Sequence, residues 1–156
     1  MSAARVISLI IVNTLAWLLF HVGWVWLGNK VPRAFFARPR AFLRVYGFER
    51  SGFFYERILF VKRWKELLPD AAGWMAGGFE KKRLRGRDPD YLRDFLHETR
   101  RAELVHWLVF CSAALFYFWN PAWVVKWMFL YSSLANLPCI IVQRYNRARF
   151  ERLLEI

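Results

Sequence analysis

Three residues on one predicted helix have the types and spacing of an acid–base site. Glu103 and His106 are three positions apart, so they share one face of a helix. A carboxylate beside an imidazole can fix the tautomer of the ring, which then takes a proton from a hydroxyl group. Glu98 precedes this pair by about one and a half turns. We expect His106 to be a general base that Glu103 orients, with Glu98 as the third member of the site.

The same residue types fit two other interpretations. One is a set of ion pairs at a membrane interface, Glu98 with Arg101 and Arg100 with Glu103, that stabilises a helix and performs no chemistry. The other is a metal site with Glu98, Glu103 and His106 as ligands, because Glu-x-x-His is an element of di-metal helical bundles. Such bundles need the element twice, and the sequence has it once. We therefore expect no metal, and no motif for a cofactor is present either.

A second polar cluster follows the last apolar segment. Its arginines, Arg144 and Arg147, are of the type that binds carboxylate or phosphate through two parallel hydrogen bonds. Amide side chains suit the hydroxyl groups of sugars. A basic anchor at the inner face of a membrane would explain the arginines but would not explain the amides. We predict that a substrate-binding cluster is formed here by Asn136, Gln143, Arg144, Tyr145, Asn146 and Arg147.

A third cluster, earlier in the chain, combines an aromatic ring, a cation and a carboxylate. Its members are Trp64, Lys65 and Asp70. Taken alone, this stretch is more simply explained as an aromatic anchor at a membrane interface. We include all three, together with Arg101, among the candidate substrate-binding residues.

Long apolar segments must position these clusters. The chain of 156 residues is 57% hydrophobic and has a formal net charge of +12. Its apolar residues fall in blocks, of which 6–27 and 122–142 are long enough to cross a bilayer and 104–119 is shorter. Basic residues beside such blocks more often meet lipid headgroups than nucleic acid. We predict an all-α integral membrane protein in which 1–156 is a single membrane domain with about three transmembrane helices, and no nucleic acid as partner.

The charge distribution predicts the topology. Aromatic and basic residues alternate in 28–103, as in amphipathic helices that lie at a membrane interface. Asp88 and Pro89 are typical of a helix start and predict one helix from about 89 to 119. Segment 28–103 and the basic tail 143–156 together hold 22 of the 24 Lys and Arg residues. By the positive-inside rule, the chain is a multi-pass protein of the cell membrane with its N-terminus outside and its C-terminus in the cytoplasm.

Three stretches carry a resemblance to a known family. They are Val61–Lys65 with Asp70, Glu98–Trp107, and Ala135–Arg147. Through them the chain resembles, from about residue 27 to 154, the glycosyl-4,4'-diaponeurosporenoate acyltransferase family, small membrane enzymes of carotenoid biosynthesis. One position departs from the family's pattern. Ala148 stands in a tail where the family has Arg-Pro-Arg, and this change removes no candidate catalytic group.

The resemblance implies the transfer of a fatty acyl group to a sugar hydroxyl of a glycosylated lipid that is similar to a carotenoid glycoside. The donor would be acyl-CoA or acyl carrier protein. In this chemistry His106 would be the base, with Glu103 as its orienter. Stabilisation of the oxyanion, or binding of the donor's phosphates, would come from Arg101, Arg144 or Asn146. Lipid or sugar would be positioned by Trp64, Lys65 and Asn136.

Two functions of other classes also fit the sequence. A non-enzymatic membrane scaffold, or a lipid-binding subunit of a biosynthetic complex, would explain the basic aromatic segment without catalysis. A metal-dependent membrane hydrolase would require a bound metal. A homo-oligomer is compatible with the sequence, which contains no signal that decides it.

Overall fold

All regular elements in the described part of the chain are helices. The computed structural model describes residues 2–38, 40–68 and 88–154. In chain order the elements are α1 (Ala3–Lys30), α2 (Arg33–Ala37), a 3-10 helix (Gly47–Gly52), α3 (Phe53–Arg57), α4 (Val61–Trp64), a 3-10 helix (Lys65–Leu67), α5 (Pro89–Ser112), a 3-10 helix (Ala113–Phe118) and α6 (Ala122–Leu153). The predicted all-α class is confirmed.

Three helical segments are long and apolar enough to cross a membrane. They are α1, α5 with its 3-10 continuation to Phe118, and α6. The predicted helix start is confirmed, because the side chain of Asp88 accepts a hydrogen bond from the Tyr91 amide at 3.0 Å and Pro89 occupies the first turn. Most of the predicted basic tail 143–156 is helical, since α6 continues to Leu153. The apolar pattern marked the end of the apolar block rather than the end of the helix.

Two buried asparagines join α1 to the connection between α5 and α6. Nδ2 of Asn13 donates to Oδ1 of Asn120 at 3.0 Å, and Nδ2 of Asn120 donates back to Oδ1 of Asn13 at 2.9 Å. Nε1 of Trp119 donates to the same Asn13 oxygen at 2.8 Å. A buried amide without partners costs about 1–3 kcal/mol. The pairing therefore fixes how far α1 is shifted along the other two helices.

Nearer its C-terminal end, α1 approaches α5 closely at a glycine. A Cβ atom on Gly28 would lie 2.5 Å from Cγ2 of Val105, closer than atoms of two side chains can approach. We expect Gly28→Ala to lower the free energy of unfolding by about 1–3 kcal/mol, because the two helices must shift apart. Unfolding with a denaturing detergent in mixed micelles measures this change.

A matched control lies on the same helix. A Cβ atom on Gly23 would meet nothing within 4 Å. Gly23→Ala should therefore be at least as stable as the wild type, since alanine favours helix more than glycine does. Equal losses in the two variants would contradict the close approach of α1 to α5.

Residues 31–38 and 40–68, here called the covering segment, pack over the end of the bundle where α5 begins and α6 ends. The predicted short helices are present, and their aromatic side chains divide into two sets. Phe36 and Tyr55 are buried, whereas Phe48 and Phe53 are exposed. The segment is thus a layer with one face against the long helices. Its other face has the aromatic and basic composition expected at a membrane interface.

Candidate functional site

The ionisable residues of α5 and α6 meet in a buried network centred on Glu103. Its side chain is 0% exposed, and Oε1 accepts hydrogen bonds from Nη1 of Arg144 at 2.7 Å and from Nε1 of Trp107 at 3.3 Å. Oε2 accepts from Nη2 of Arg147, which is also 0% exposed. A carboxylate can remain charged in such a place because two guanidinium groups compensate for the water it has lost.

Arg144 connects this network to the covering segment. Its Nε and Nη2 donate to the two oxygens of Glu49 at 2.7 and 2.8 Å, a bidentate pair. Nη1 and Nη2 also donate to the backbone oxygens of Phe42 and Arg44 at 3.1 Å each. An arginine side chain has five N–H groups. Together with the bond to Glu103, these contacts use all five N–H groups. Arg144 therefore holds α6 against the 3-10 helix at Gly47–Gly52 and the loop before it.

Glu49 and Tyr55 are members of the network that the sequence analysis missed. Burial would raise the pKa of the Glu49 carboxyl, but hydrogen bonds from Arg144, from the Tyr46 amide and from the Tyr55 hydroxyl hold that pKa below its ordinary value. Burial and the adjacent Glu49 raise the pKa of Tyr55, so its hydroxyl keeps the proton it donates. The spacing of Tyr46 and Glu49 indicates a helix cap. No local pattern indicates that Glu49 also pairs with Arg144, which is 95 residues away in the chain.

Of the two ion pairs predicted as an alternative on α5, one is confirmed and the other is wrong. Nη1 of Arg101 lies 2.6 Å from Glu98, as expected. The predicted pair of Arg100 with Glu103 is wrong, because Arg100 contacts Glu151 at 3.1 Å and donates to the backbone oxygen of Phe36 at 2.8 Å. Glu103 faces α6. Its oxygens accept hydrogen bonds from Arg144 and Arg147 of that helix and from Trp107 of α5.

His106 is hydrogen-bonded to Asn136, one turn of α5 away from Glu103. Nδ1 of His106 lies 3.0 Å from Oδ1 of Asn136, and Nδ2 of Asn136 donates to the backbone oxygen of Ser132 at 3.0 Å. The amide oxygen therefore faces the ring, and Nδ1 must carry the proton. The lone pair of the imidazole is then on Nε2. Asn136 thus orients the ring through Nδ1, a role that the sequence analysis had given to Glu103 alone.

Two buried side chains near the end of α6 have polar atoms without partners among the described residues. They are Nε and Nη1 of Arg147, and Oε1 of Gln143. Nε of Arg101, on α5, is also buried without a hydrogen-bond partner among these residues. Buried polar atoms are nearly always hydrogen-bonded in proteins. These atoms are therefore the ones in the site that a substrate or an ordered water can satisfy.

The remaining candidates lie elsewhere. Tyr145 donates to Glu56 at 2.9 Å, and the ammonium group of Lys65 is 5.7 Å from the Tyr145 ring centroid. Nε1 of Trp64 donates to the backbone oxygen of Leu59 at 2.8 Å. Trp64 and Lys65 of the covering segment thus form a separate group with Tyr145 of α6. Asn146 is buried on α6, and Asp70 lies outside the described residues.

Metal binding was the other alternative for the cluster on α5. In residues 2–38, 40–68 and 88–154, no three His, Cys, Asp or Glu side chains are grouped so that they could hold a metal ion. Glu103, one of the three proposed ligands, directs its oxygens at cations of the protein itself.

The sequence is similar to one family of proteins over most of its length. Residues 39–156 match the family model described as glycosyl-4,4'-diaponeurosporenoate acyltransferase. The protein of that name from Staphylococcus aureus strain bovine RF122 / ET3-1 is 31% identical over 140 residues, which cover 90% of this chain and 84% of the relative. Its counterparts from strains MRSA252 and N315 are 31% and 30% identical with the same coverage. No solved structure matches the chain. The chain therefore belongs to the glycosyl-4,4'-diaponeurosporenoate acyltransferase family and is an acyltransferase.

Proposed function

We propose that this protein transfers a fatty acyl group from a thioester donor to a sugar hydroxyl of a carotenoid glycoside in the membrane. Its relatives are named for such an acceptor. The observation that carries the proposal is the hydrogen-bonded series from Ser132 through Asn136 to His106. Acyl transfer to a hydroxyl requires a base whose lone pair is held in one place. The series supplies that lone pair at Nε2.

The reaction follows from this geometry. The sugar hydroxyl gives its proton to Nε2 of His106 while its oxygen attacks the carbonyl carbon of the acyl thioester. The carbon–sulfur bond breaks, and the leaving thiolate takes the proton from the imidazolium. We assign the N–H of Arg101 that has no partner to the oxyanion that forms in between.

The sugar is placed along α6. Gln143 follows Asn136 by seven residues, roughly 10 Å along the helix axis, and its carbonyl oxygen can accept a hydrogen bond from a second hydroxyl. The unpaired N–H groups of Arg147 lie one turn farther and suit a phosphate of the donor. Glu103, Glu49 and Arg144 act as the ion-pair framework that holds α5, α6 and the covering segment together, and they do not touch the substrate.

We further propose that this end of the bundle faces the cytoplasm. The covering segment and the end of α6 hold most of the 24 Lys and Arg residues, and such residues are retained on the inner side of a membrane. Acyl-CoA and acyl carrier protein are cytoplasmic, so either donor reaches the site directly. In this topology the N-terminus is outside and the whole chain acts as one membrane domain.

An acyl-transfer assay tests the function. Purified protein in nanodiscs receives labelled acyl-CoA, or labelled acyl carrier protein, and a carotenoid glycoside. We expect an acylated glycoside from the wild type, and we expect His106→Ala to lower kcat by about 10²- to 10⁴-fold because the base is lost. His97→Ala is the matched control, since His97 lies on the same helix nine residues before His106, about two and a half turns away, and it should retain activity.

Two outcomes would overturn this assignment. Full activity in a normally folded His106→Ala variant would remove His106 as the base. A folded wild type that forms no product with either donor would remove the proposed reaction and would favour a scaffold.

A further inference from the structure

A groove between α1 and α6 opens toward the lipid, at the end of the bundle away from the ion-pair network. Two adjoining cavities, of about 430 and 360 Å³, are both lined by Thr14, Trp17 and Tyr131. Because they share these residues, they form one groove. It follows α1 from Ile10 to His21, a length of roughly 16 Å.

Aromatic rings line much of this groove. Trp17 lies at its base, 9% exposed, with its ring centroid 4.7 Å from that of Phe116. Trp127 and Tyr131 form the wall on α6 and are 61% and 47% exposed. Apolar exposure by itself means little in a bilayer, where lipid chains cover every outer surface. A concave surface of flat, rigid rings is different, because it matches an extended planar chain better than a flexible saturated one.

Two polar side chains, His21 and Tyr131, line the groove. Nδ1 of His21 donates to the backbone oxygen of Trp17 at 2.8 Å, which leaves the acceptor lone pair on Nε2. Tyr131 lines both cavities and has a hydroxyl that can donate a hydrogen bond. Polar groups at membrane depth are costly and indicate a functional site. These two can accept a hydrogen bond from a hydroxyl and donate one to a carbonyl or ether oxygen.

We propose that this groove binds the hydrocarbon chain of the acceptor lipid, an inference that rests on the proposed acyltransferase function. The groove opens sideways, so a lipid already in the membrane enters it without crossing water, whereas a soluble thioester brings its acyl chain from the aqueous side. Tyr131 precedes Asn136 by five residues, roughly 7.5 Å along α6. The end of the groove at His21 and Tyr131 is therefore the end nearer to Asn136 along the membrane normal, and we place the polar head of the acceptor at this end.

Filling the groove tests this inference. Leu18 lines the larger cavity, whereas the adjacent Leu19 is absent from the lining of both cavities and is 68% exposed. We expect Leu18→Trp to raise KM for the carotenoid glycoside by roughly tenfold or more and to leave KM for the acyl donor unchanged. Leu19→Trp adds the same ring on the lipid side and should change neither value. Thr14→Phe, which fills the part shared by both cavities, is a second variant with the same expectation.

Binding without catalysis separates this inference from the proposed reaction. A carotenoid glycoside with a photoreactive diazirine on its chain is irradiated with the protein in nanodiscs, with no acyl donor present. We expect labelled peptides from 10–21 and 127–131, with labelling reduced in Leu18→Trp and retained in Leu19→Trp. Labelling there without any transferase activity would support the groove while removing the reaction. Active protein with labelling elsewhere, or a rise in KM for the donor instead of the acceptor, would overturn the groove assignment.

Discussion

Replacing Glu103 with Gln is expected to lower the free energy of unfolding by about 3–5 kcal/mol, because it leaves a buried positive charge without its counter-ion. Arg147 is 0% exposed and its ion pair is with Glu103, whereas Arg144 keeps its bidentate contact with Glu49. Gln can still accept a hydrogen bond, so the change removes charge and leaves shape nearly intact. Titration with a denaturing detergent, followed by circular dichroism, measures the loss.

A second substitution on the partner shows whether the charge is the cause. In the double variant Glu103→Gln/Arg147→Met both charges are absent, and we expect it to recover a large part of the stability that Glu103→Gln loses. The control is Asp90→Asn on the same helix, whose ion pair with Arg93 is exposed, so its effect should stay within about 1 kcal/mol. If Glu103→Gln were as mild as Asp90→Asn, the network would not be what holds α5 to α6.

Removing the amide of Asn136 is expected to lower kcat by about 10²-fold, because a general base that is displaced by about 1 Å loses its alignment with the reacting hydroxyl. Asn136→Ala deletes the oxygen that accepts the hydrogen bond from Nδ1 of His106. KM for the acceptor should change little, since we place Asn136 behind the base and not against the substrate. Steady-state kinetics in nanodiscs separate the two constants.

Two further variants distinguish positioning of the base from a loss of packing. Asn136→Asp keeps an oxygen facing His106 and should retain more activity than Asn136→Ala. In a His106→Ala background, Asn136→Ala should have no further effect on kcat, because the two residues act as a unit. The same additional loss of kcat in both backgrounds would mean that Asn136 acts independently of His106, and our assignment of its role would fail.

Local features of the sequence were sufficient to predict the three long helices, apart from the end of α6, and to indicate the family. The start of α5 follows from Asp88 and Pro89, whose side-chain types satisfy a helix end within a few residues. The three long helices follow from apolar blocks, since the length needed to cross a bilayer is fixed. The clustering of ionisable residues from Glu98 to His106 could also be predicted, because it requires only that residues close in sequence lie on one helix.

The choice of partner for each polar side chain was decided by the tertiary structure. Spacing of three residues permits Glu103 to contact His106, yet in the fold the carboxylate faces Arg144 and Arg147 on the other helix. A buried carboxylate is compensated far better by a guanidinium than by a neutral imidazole, and Nδ1 of His106 is hydrogen-bonded to the amide oxygen of Asn136. These contacts depend on how α5 and α6 are rotated and shifted against each other. That arrangement is set by packing between residues that are distant in the chain. It cannot be predicted from the periodicity of residues along a single helix.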